Sequence, residues 1–118
     1  MDDVKVIDVA MEGEVAVVSF LVPSISGVSD VDKVAEELRG FIDEKRPGKI
    51  IVDFSGVKFF SSQVLGLLVD MWRRSGDYGG KVSISGINPQ LGRVFKITNL
   101  DSLFKFYPDK QSALDGLS

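Results

Sequence analysis

The pattern of hydrophobic and polar positions along the chain changes several times between a strand-like and a helical period. Two β-branched stretches precede residue 23, and Glu12-Gly13 between them marks a turn, so we expect an antiparallel hairpin there. Further strands are predicted at residues 49–54, at 81–85 and around 103–106. The strand, helix, strand order in the first half of the chain predicts a parallel crossover connection.

Apolar residues at helical spacing predict four helices. The first has a single apolar stripe from Val31 to Ile42, and Ser29 is its expected N-cap. The second covers residues 62–75, the third starts at Asn88-Pro89, and a short last helix covers 109–117. We therefore expect one α/β domain over residues 1–118, with a mixed sheet of about five strands packed against about four helices.

Composition excludes several kinds of chemistry. The chain of 118 residues has a net charge of −3, which argues against direct nucleic-acid binding because phosphate contacts need a basic surface. It contains no Cys and no His, which excludes disulfides, zinc sites and thiol or imidazole catalysis. Since no apolar run reaches the length of a membrane span and the N-terminus is acidic, we expect a cytoplasmic protein with no membrane contact. No residue pattern implies a cofactor, so none is expected.

Two adjacent serines, Ser61 and Ser62, stand at the start of the predicted second helix. Hydroxyls in such a place lie beside unpaired backbone N–H groups and the positive end of the helix dipole. They cap the helix, help to bind an anion or accept a phosphate. On the local pattern alone, all three roles remain open.

The second helix is apolar around most of its circumference, interrupted only by Gln63, Gly66 and Asp70. One interpretation is a helix that the domain covers on both sides. The other is that part of its surface binds a partner, since apolar patches usually mark interfaces. A glycine inside a helix costs about 1 kcal/mol relative to alanine, so Gly66 indicates the close approach of another backbone, either within the domain or from a partner.

The segment between residues 23 and 30 is rich in small polar residues, and it precedes the first predicted helix. It is either a simple surface connection or a recognition loop near the two serines. Both segments follow the carboxyl ends of predicted strands, where ligands and partners of open α/β sheets gather. The candidate recognition residues in this loop are Ser24, Ser26, Gly27, Ser29 and Asp30.

Enzyme functions have little support in the sequence. The aspartates are scattered and show no paired spacing typical of an acid/base couple. The glycines match neither a P-loop nor a dinucleotide fingerprint, and the two serines lack a histidine base. The sequence therefore predicts a binding protein rather than an enzyme, with no metal site.

Three stretches of the chain together match one known family: residues 50–69 (IIVDFSGVKFFSSQVLGLLV), 79–109 (GGKVSISGINPQLGRVFKITNLDSLFKFYPD) and 35–42 (AEELRGFI). They resemble the STAS domain family, whose small stand-alone members are anti-sigma factor antagonists. The resemblance implies the STAS fold. It also implies a partner-switching regulator that binds an anti-sigma factor, or a related serine kinase, and so releases a sigma factor for transcription.

The chain departs from the family at its regulatory motif, which typically reads Asp-Ser-Ser/Thr-Gly-Leu-Gly. Aligned without a gap, Ser61 takes the place of the aspartate, Ser62 that of the first hydroxyl residue and Gln63 that of the phosphoacceptor. Val64 replaces the next glycine, and the Leu-Gly pair is retained. Because Gln is neutral and cannot mimic a phosphoserine, we favour loss of the switch. The alternative is that Ser62, one residue earlier, accepts the phosphate, and Ser61 is the second candidate.

The resemblance places the partner-binding surface on the 23–30 loop, the turn at residues 61–63 and the exposed side of the second helix around Gly66. A monomer or weak dimer is expected. The alternative is a STAS scaffold or accessory subunit of a larger assembly, either stressosome-like or associated with lipid transport. A small enzyme or ligand-binding protein is the remaining alternative.

Overall fold

The computed structural model describes residues 6–25 and 27–117, with the side chains of Val28, Ser29 and Leu117 excepted. Strands and helices largely alternate along these residues. The strands are β1 (Ile7–Glu12), β2 (Val15–Phe20), β3 (Ser24–Ile25), β4 (Lys49–Asp53), β5 (Phe59–Phe60), β6 (Lys81–Ser85) and β7 (Lys105–Tyr107). The helices are α1 (Val28–Lys45), α2 (Ser62–Gly76), α3 (Pro89–Ile97) and α4 (Lys110–Leu117).

The main sheet has five strands in the order β1-β2-β4-β6-β7. β1 and β2 form the expected antiparallel hairpin, with Ile7 opposite Phe20. β2, β4, β6 and β7 run parallel to one another, so the α1 connection between β2 and β4 is the expected parallel crossover. The carboxyl ends of these four strands therefore meet at one edge of the sheet.

The core lies between the main sheet and the helices. Successive residues of β4 point to opposite faces, so Ile50 and Val52 face one side and Ile51 the other, and all three are buried. Ile50 and Val52 belong to the main cluster together with Leu38 of α1 and Leu68 of α2. α4 packs against β4, β6 and β7. A chain of aromatic contacts crosses the core through Phe20, Phe54, Phe60, Phe95, Phe104 and Phe106.

The helix starts agree with the sequence in one case and differ in another. Asn88 caps α3 as expected, because its Oδ1 accepts a hydrogen bond from the N–H of Leu91 at 2.9 Å and Pro89 follows it. The expectation that Ser29 caps α1 is wrong: the helix begins at Val28 and Gly27 occupies the N-cap position. Gly27 has φ of 91°, a conformation that favours glycine, so the chain turns into the helix two residues earlier.

Candidate functional site

The turn that leads from β4 to α2 is anchored by the carboxylate of Asp53. Its Oδ1 accepts hydrogen bonds from the hydroxyls of Ser55 and Ser85, each at 2.9 Å. Gly86 follows β6 with φ of 68°, and a Cβ there would overlap Ser55 Oγ. The carboxyl ends of β4 and β6 are thereby joined, which fixes where the chain leaves the sheet towards α2.

A second anchor comes from Asn88, the residue that caps α3. Its Nδ2 donates a hydrogen bond to the carbonyl of Val57 at 3.1 Å. Val57 itself is buried, so the middle of the β4–α2 connection is fixed between the core and the start of α3. The sequence identified Asn88 as a helix cap but gave no sign of this second contact.

The loop before α1 and the turn before α2 are joined by backbone hydrogen bonds. β3 pairs in parallel with β5, with Ser24 opposite Phe59 and Ile25 opposite Phe60. The N–H of Ser61 then donates to the carbonyl of Ile25 at 2.9 Å. The sequence assigned this region to loops; the structure adds a two-stranded sheet that brings the two segments together.

Two helix N-termini consequently lie next to each other at this edge of the sheet. Within the described residues, neither N-cap, Gly27 for α1 or Ser61 for α2, makes a side-chain capping hydrogen bond. The positive ends of both dipoles are thus left without side-chain caps, which is a favourable place for a negative group.

The two serines differ in their environment. The hydroxyl oxygen of Ser61 is buried and has no hydrogen-bond partner among the described residues. Ser62 and Gln63, the first two residues of α2, are exposed. An enzyme approaching from solvent therefore reaches Ser62 and Gln63 in this conformation, but not the hydroxyl of Ser61.

A shallow groove runs between α1 and α2 and opens beside Gln63. It is lined by Val31, Asp32, Ala35, Arg39, Gln63, Gly66, Leu67 and Asp70. Gly66 is exposed, and a Cβ built on it meets no described atom within 4 Å. The expectation that another backbone of the domain approaches Gly66 is therefore wrong, and the missing side chain instead leaves the groove open to solvent.

An ion-pair network closes the far end of this groove and ties α1 to α2. Asp70 Oδ2 lies 3.1 Å from Arg39 Nε and 3.0 Å from Arg74 Nε, and Arg74 also reaches Asp43 at 3.4 Å. Burial acts to raise the pKa of the Asp70 carboxyl, but hydrogen bonds from Arg74 and Arg39 outweigh it and hold the pKa below its ordinary value. The charged form of Asp70 is thus the form that holds the two helices together.

The remaining predicted recognition residues are distributed as follows. Ser24 lies exposed in β3, and Asp30 lies exposed in the first turn of α1. Ser26 and the side chain of Ser29 lie outside the described residues. Two apolar side chains are about half exposed near this edge: Leu21, which the sequence did not single out, is 52% exposed, and Phe59, which together with Phe60 immediately precedes the two serines, is 53% exposed.

Over residues 6–25 and 27–117, no three acidic side chains are grouped to hold a metal ion. Nor does any helix in those ranges have the length and apolar character needed to cross a bilayer.

The fold and the paired helix starts are those of a small α/β domain with a mixed sheet. The model of the STAS domain family matches residues 12–113, and the chain belongs to this family. Its four helices and five-stranded mixed sheet form the expected STAS fold.

Solved structures of similar fold include several regulators. An anti-sigma-factor antagonist (STAS) domain protein from Planctomyces limnophilus is 28% identical, with a TM-score of 0.81 over 95% of this chain and 97% of that chain. The Bacillus cell fate determinant SpoIIAA in its phosphorylated form is 19% identical, with a TM-score of 0.75 over 95% of this chain and 99% of that chain. A chain from the stressosome, a signal integration and transduction hub, is 19% identical, with a TM-score of 0.71 over 93% of this chain and 95% of that chain.

Proposed function

We propose that this protein is an anti-sigma factor antagonist, which binds an anti-sigma factor and so frees a sigma factor for transcription. The observation that carries the proposal is the hydrogen bond between Ser61 and Ile25, which unites the loop before α1 and the turn before α2 in one surface. The similarity to the Planctomyces limnophilus antagonist domain supports the same role.

The proposed binding surface combines apolar anchors with polar groups, as protein interfaces commonly do. Phe59 supplies a half-exposed ring beside the exposed Ser24 of the paired strand. Ser62 and Gln63 supply hydrogen-bonding groups at the start of α2, where the α1–α2 groove opens. A partner that carries an acidic side chain would also meet the positive ends of both helix dipoles.

We further propose that Gln63 leaves this protein without the family's phosphate switch. In the gapless alignment with the family motif Gln63 takes the acceptor position, and it is exposed, so a kinase that reads this position would meet a side chain that it cannot phosphorylate. Regulation would then act through the amount of protein or through another input. Phosphorylation of the neighbouring Ser62, which is also exposed, is the competing proposal.

A role as a scaffold subunit of a larger assembly is the second candidate. Two points favour it: the similarity of fold to a stressosome chain, and the glutamine that the gapless alignment with the family motif places at the acceptor position. Measurement of the mass in solution separates the two roles. The antagonist is expected as a monomer or weak dimer, whereas a large homo-assembly would support the scaffold.

Calorimetric titration of a purified anti-sigma factor with the wild-type chain and two variants tests the antagonist proposal. Ser62→Asp adds a negative charge to the first turn of α2, inside the proposed surface, and is expected to weaken binding at least tenfold, or about 1.4 kcal/mol. Gln90→Asp adds the same charge to the first turn of α3, outside that surface, and should leave binding unchanged. Equal affinity of all three proteins would remove the turn from the interface.

A further inference from the structure

The two outer strands of the main sheet differ in how far their free edges are protected. β7 is three residues long, begins with Lys105 and packs against α4. β1, at the opposite edge, is six residues long and contains neither lysine nor proline. Its residues pair one to one with those of β2, so it has no β-bulge. Since lysine, proline, bulges and short length keep a sheet edge from pairing with other chains, β1 is the less protected edge.

The hydrogen bonds between β1 and β2 determine which backbone groups of β1 point away from the sheet. The N–H of Leu21 donates to the carbonyl of Val6 at 2.7 Å, which continues the register that sets Ile7 opposite Phe20. Hydrogen-bonded pairs recur at every second residue of an antiparallel ladder, so the even-numbered residues of β1 bond to β2. The N–H and C=O groups of the odd-numbered residues therefore point outward, namely those of Ile7, Val9 and Met11.

No other element of the described chain covers this row of outward backbone groups. Among those elements, only β2 is in extensive contact with β1. The backbone hydrogen bonds of the described turns and loops do not involve Ile7, Val9 or Met11. An edge of this kind is a template on which a further strand can be added.

The β1 strand of a second copy of the chain fits this edge in an antiparallel direction. With a two-fold axis at Val9, that residue would lie opposite Val9 of the second copy, and Ile7 would lie opposite Met11 of the second copy. All of these residues have outward backbone groups, so each of these pairs would be a hydrogen-bonded pair. Since such a pair exchanges two bonds, about six backbone hydrogen bonds would join the two strands.

The charges of β1 select this register over its neighbours. Its acidic residues, Asp8 and Glu12, would lie opposite Ala10 and Val6 of the second copy, which are uncharged. A shift of two residues in one direction would set Asp8 opposite Glu12 of the second copy, and a shift in the other direction would set it opposite Asp8. Like charges directly opposite each other destabilise a sheet, so both shifted registers are disfavoured.

The apolar side chains of β1 also favour a second copy. Successive side chains of a strand alternate between its faces, so Ile7, Val9 and Met11 share one face. Val9 packs partly buried against the main cluster, whereas Met11 is 43% exposed. In the register centred on Val9, Met11 would pack against Ile7 of the second copy and lose part of this exposure.

We propose that β1 is a self-association edge, which pairs antiparallel with β1 of a second copy about a two-fold axis at Val9. The two five-stranded sheets then form one continuous sheet. Because both copies use the same surface, the contact is closed and stops at two chains. The pairing involves no anti-sigma factor, so it does not rest on the function proposed above.

Sedimentation equilibrium measures the mass in solution as a function of protein concentration. The mass of the wild-type chain is expected to rise from one chain to two, with a dissociation constant between about 10 µM and 1 mM. Met11→Pro removes an outward N–H that forms no bond with β2, whereas Met11→Ala, the matched control, removes the side chain but keeps that N–H. Met11→Pro should weaken dimerisation at least tenfold more than Met11→Ala.

A single introduced cysteine tests the register, because the chain itself has none. In the proposed pair the two Cα atoms of residue 9 lie about 5.5 Å apart, within the range of a disulfide, so Val9→Cys should cross-link under mild oxidation. The two copies of residue 10 are diagonal neighbours about 7–8 Å apart. Ala10→Cys should therefore cross-link at least tenfold more slowly, although Ala10 is the more exposed residue.

Circular dichroism establishes whether each variant is folded, and the two cysteine variants provide the test if Met11→Pro is not. A wild-type chain that stays monomeric up to about 1 mM would overturn the proposal. Equal loss of dimerisation in Met11→Pro and Met11→Ala would also overturn it. So would a cross-linking rate of Ala10→Cys equal to or above that of Val9→Cys, since random collisions favour the more exposed position.

Discussion

The backbone N–H of Ser61 donates a hydrogen bond to the carbonyl of Ile25 at 2.9 Å. These residues are far apart in the sequence, yet the bond sets the start of α2 beside the segment that leads into α1. Because the bond joins main-chain atoms, it tolerates many side chains at both positions. The surface proposed to bind the partner can therefore vary in side-chain chemistry while its geometry is maintained.

Gln63→Ser is expected to introduce a phosphate acceptor. If the proposed anti-sigma factor is a kinase, incubation of the wild-type chain with it and ATP should leave the chain unmodified, whereas the variant should gain one phosphate at residue 63, located by mass spectrometry. The exposed position of residue 63 in the first turn of α2 makes the new hydroxyl accessible, and the dipole tolerates the added charge. Phosphate on Ser62 of the wild-type chain would contradict the proposed loss of the switch.

Substitution of Gly66 separates folding from binding. Gly66→Ala should raise the free energy of unfolding by about 0.5–1 kcal/mol, since alanine is the better helix former and the added Cβ meets no described atom within 4 Å. Gly66→Leu should fill the α1–α2 groove and weaken partner binding. Gly40, an equally open glycine of α1 outside the groove, provides the control, because Gly40→Leu should leave binding unchanged. Full partner affinity in Gly66→Leu would exclude the groove from the interface.

Two glycines with nearly equal φ allow the anchor at Asp53 to be tested. Gly13→Ala, at φ of 66° with no described atom within 4 Å of the new Cβ, should cost about 1 kcal/mol from backbone strain. Gly86→Ala, at φ of 68°, should cost about 3 kcal/mol or more, because the new Cβ also overlaps Ser55 Oγ. Chemical denaturation measures both values. Ser55→Ala should restore part of the loss at Gly86, and equal costs at the two glycines would contradict the close packing of this turn.

The stability of the α1–α2 contact should depend on pH through Asp70. Its pKa is lowered in the folded protein, so its contribution is complete above the unfolded value of about 3.9 and is lost as the pH falls below that value through the folded pKa. Asp70→Asn should cost about 1 kcal/mol or less at pH 7, because the pair with Arg39 is partly exposed.

Denaturation of the wild-type chain and Asp70→Asn over a range of pH checks this dependence. The difference between them should shrink below pH of about 4, as Asp70 becomes protonated in the wild type. Glu37→Gln, which removes an exposed charge of the same sign from α1, is the control and should change stability little at any pH. A difference that stays constant down to acid pH would show that the ion pairs do not stabilise the contact.

Local signals in the sequence were sufficient for most of the fold. Asn88-Pro89 predicts the start of α3, because a capping side chain and a first-turn proline determine the backbone conformation within a few residues of themselves in the sequence. The pairing of β3 with β5 could not be predicted in this way. A two-residue strand is too short to show an alternation of apolar and polar residues, and its backbone hydrogen bonds join segments that are distant in the sequence. Ser29 illustrates the same limit: its side chain favours an N-cap, but the positive φ of Gly27 places the turn earlier.

The candidate site was predictable in location but not in detail. Both segments follow the carboxyl ends of predicted strands, and this alone predicted that the loop at Ser24 and the turn at Ser62 lie close together. The burial of the Ser61 hydroxyl and the open space at Gly66 depend on the packing of α2 against the rest of the domain, which no local pattern encodes.

Hydrogen–deuterium exchange of the chain, alone and with a purified anti-sigma factor, tests the central claim most directly. The account predicts slower exchange on binding in residues 24–31 and 59–67, on both sides of the Ser61–Ile25 hydrogen bond, with little change in α3 and α4. Protection confined to α3 and α4, with unchanged exchange in those two segments, would contradict it.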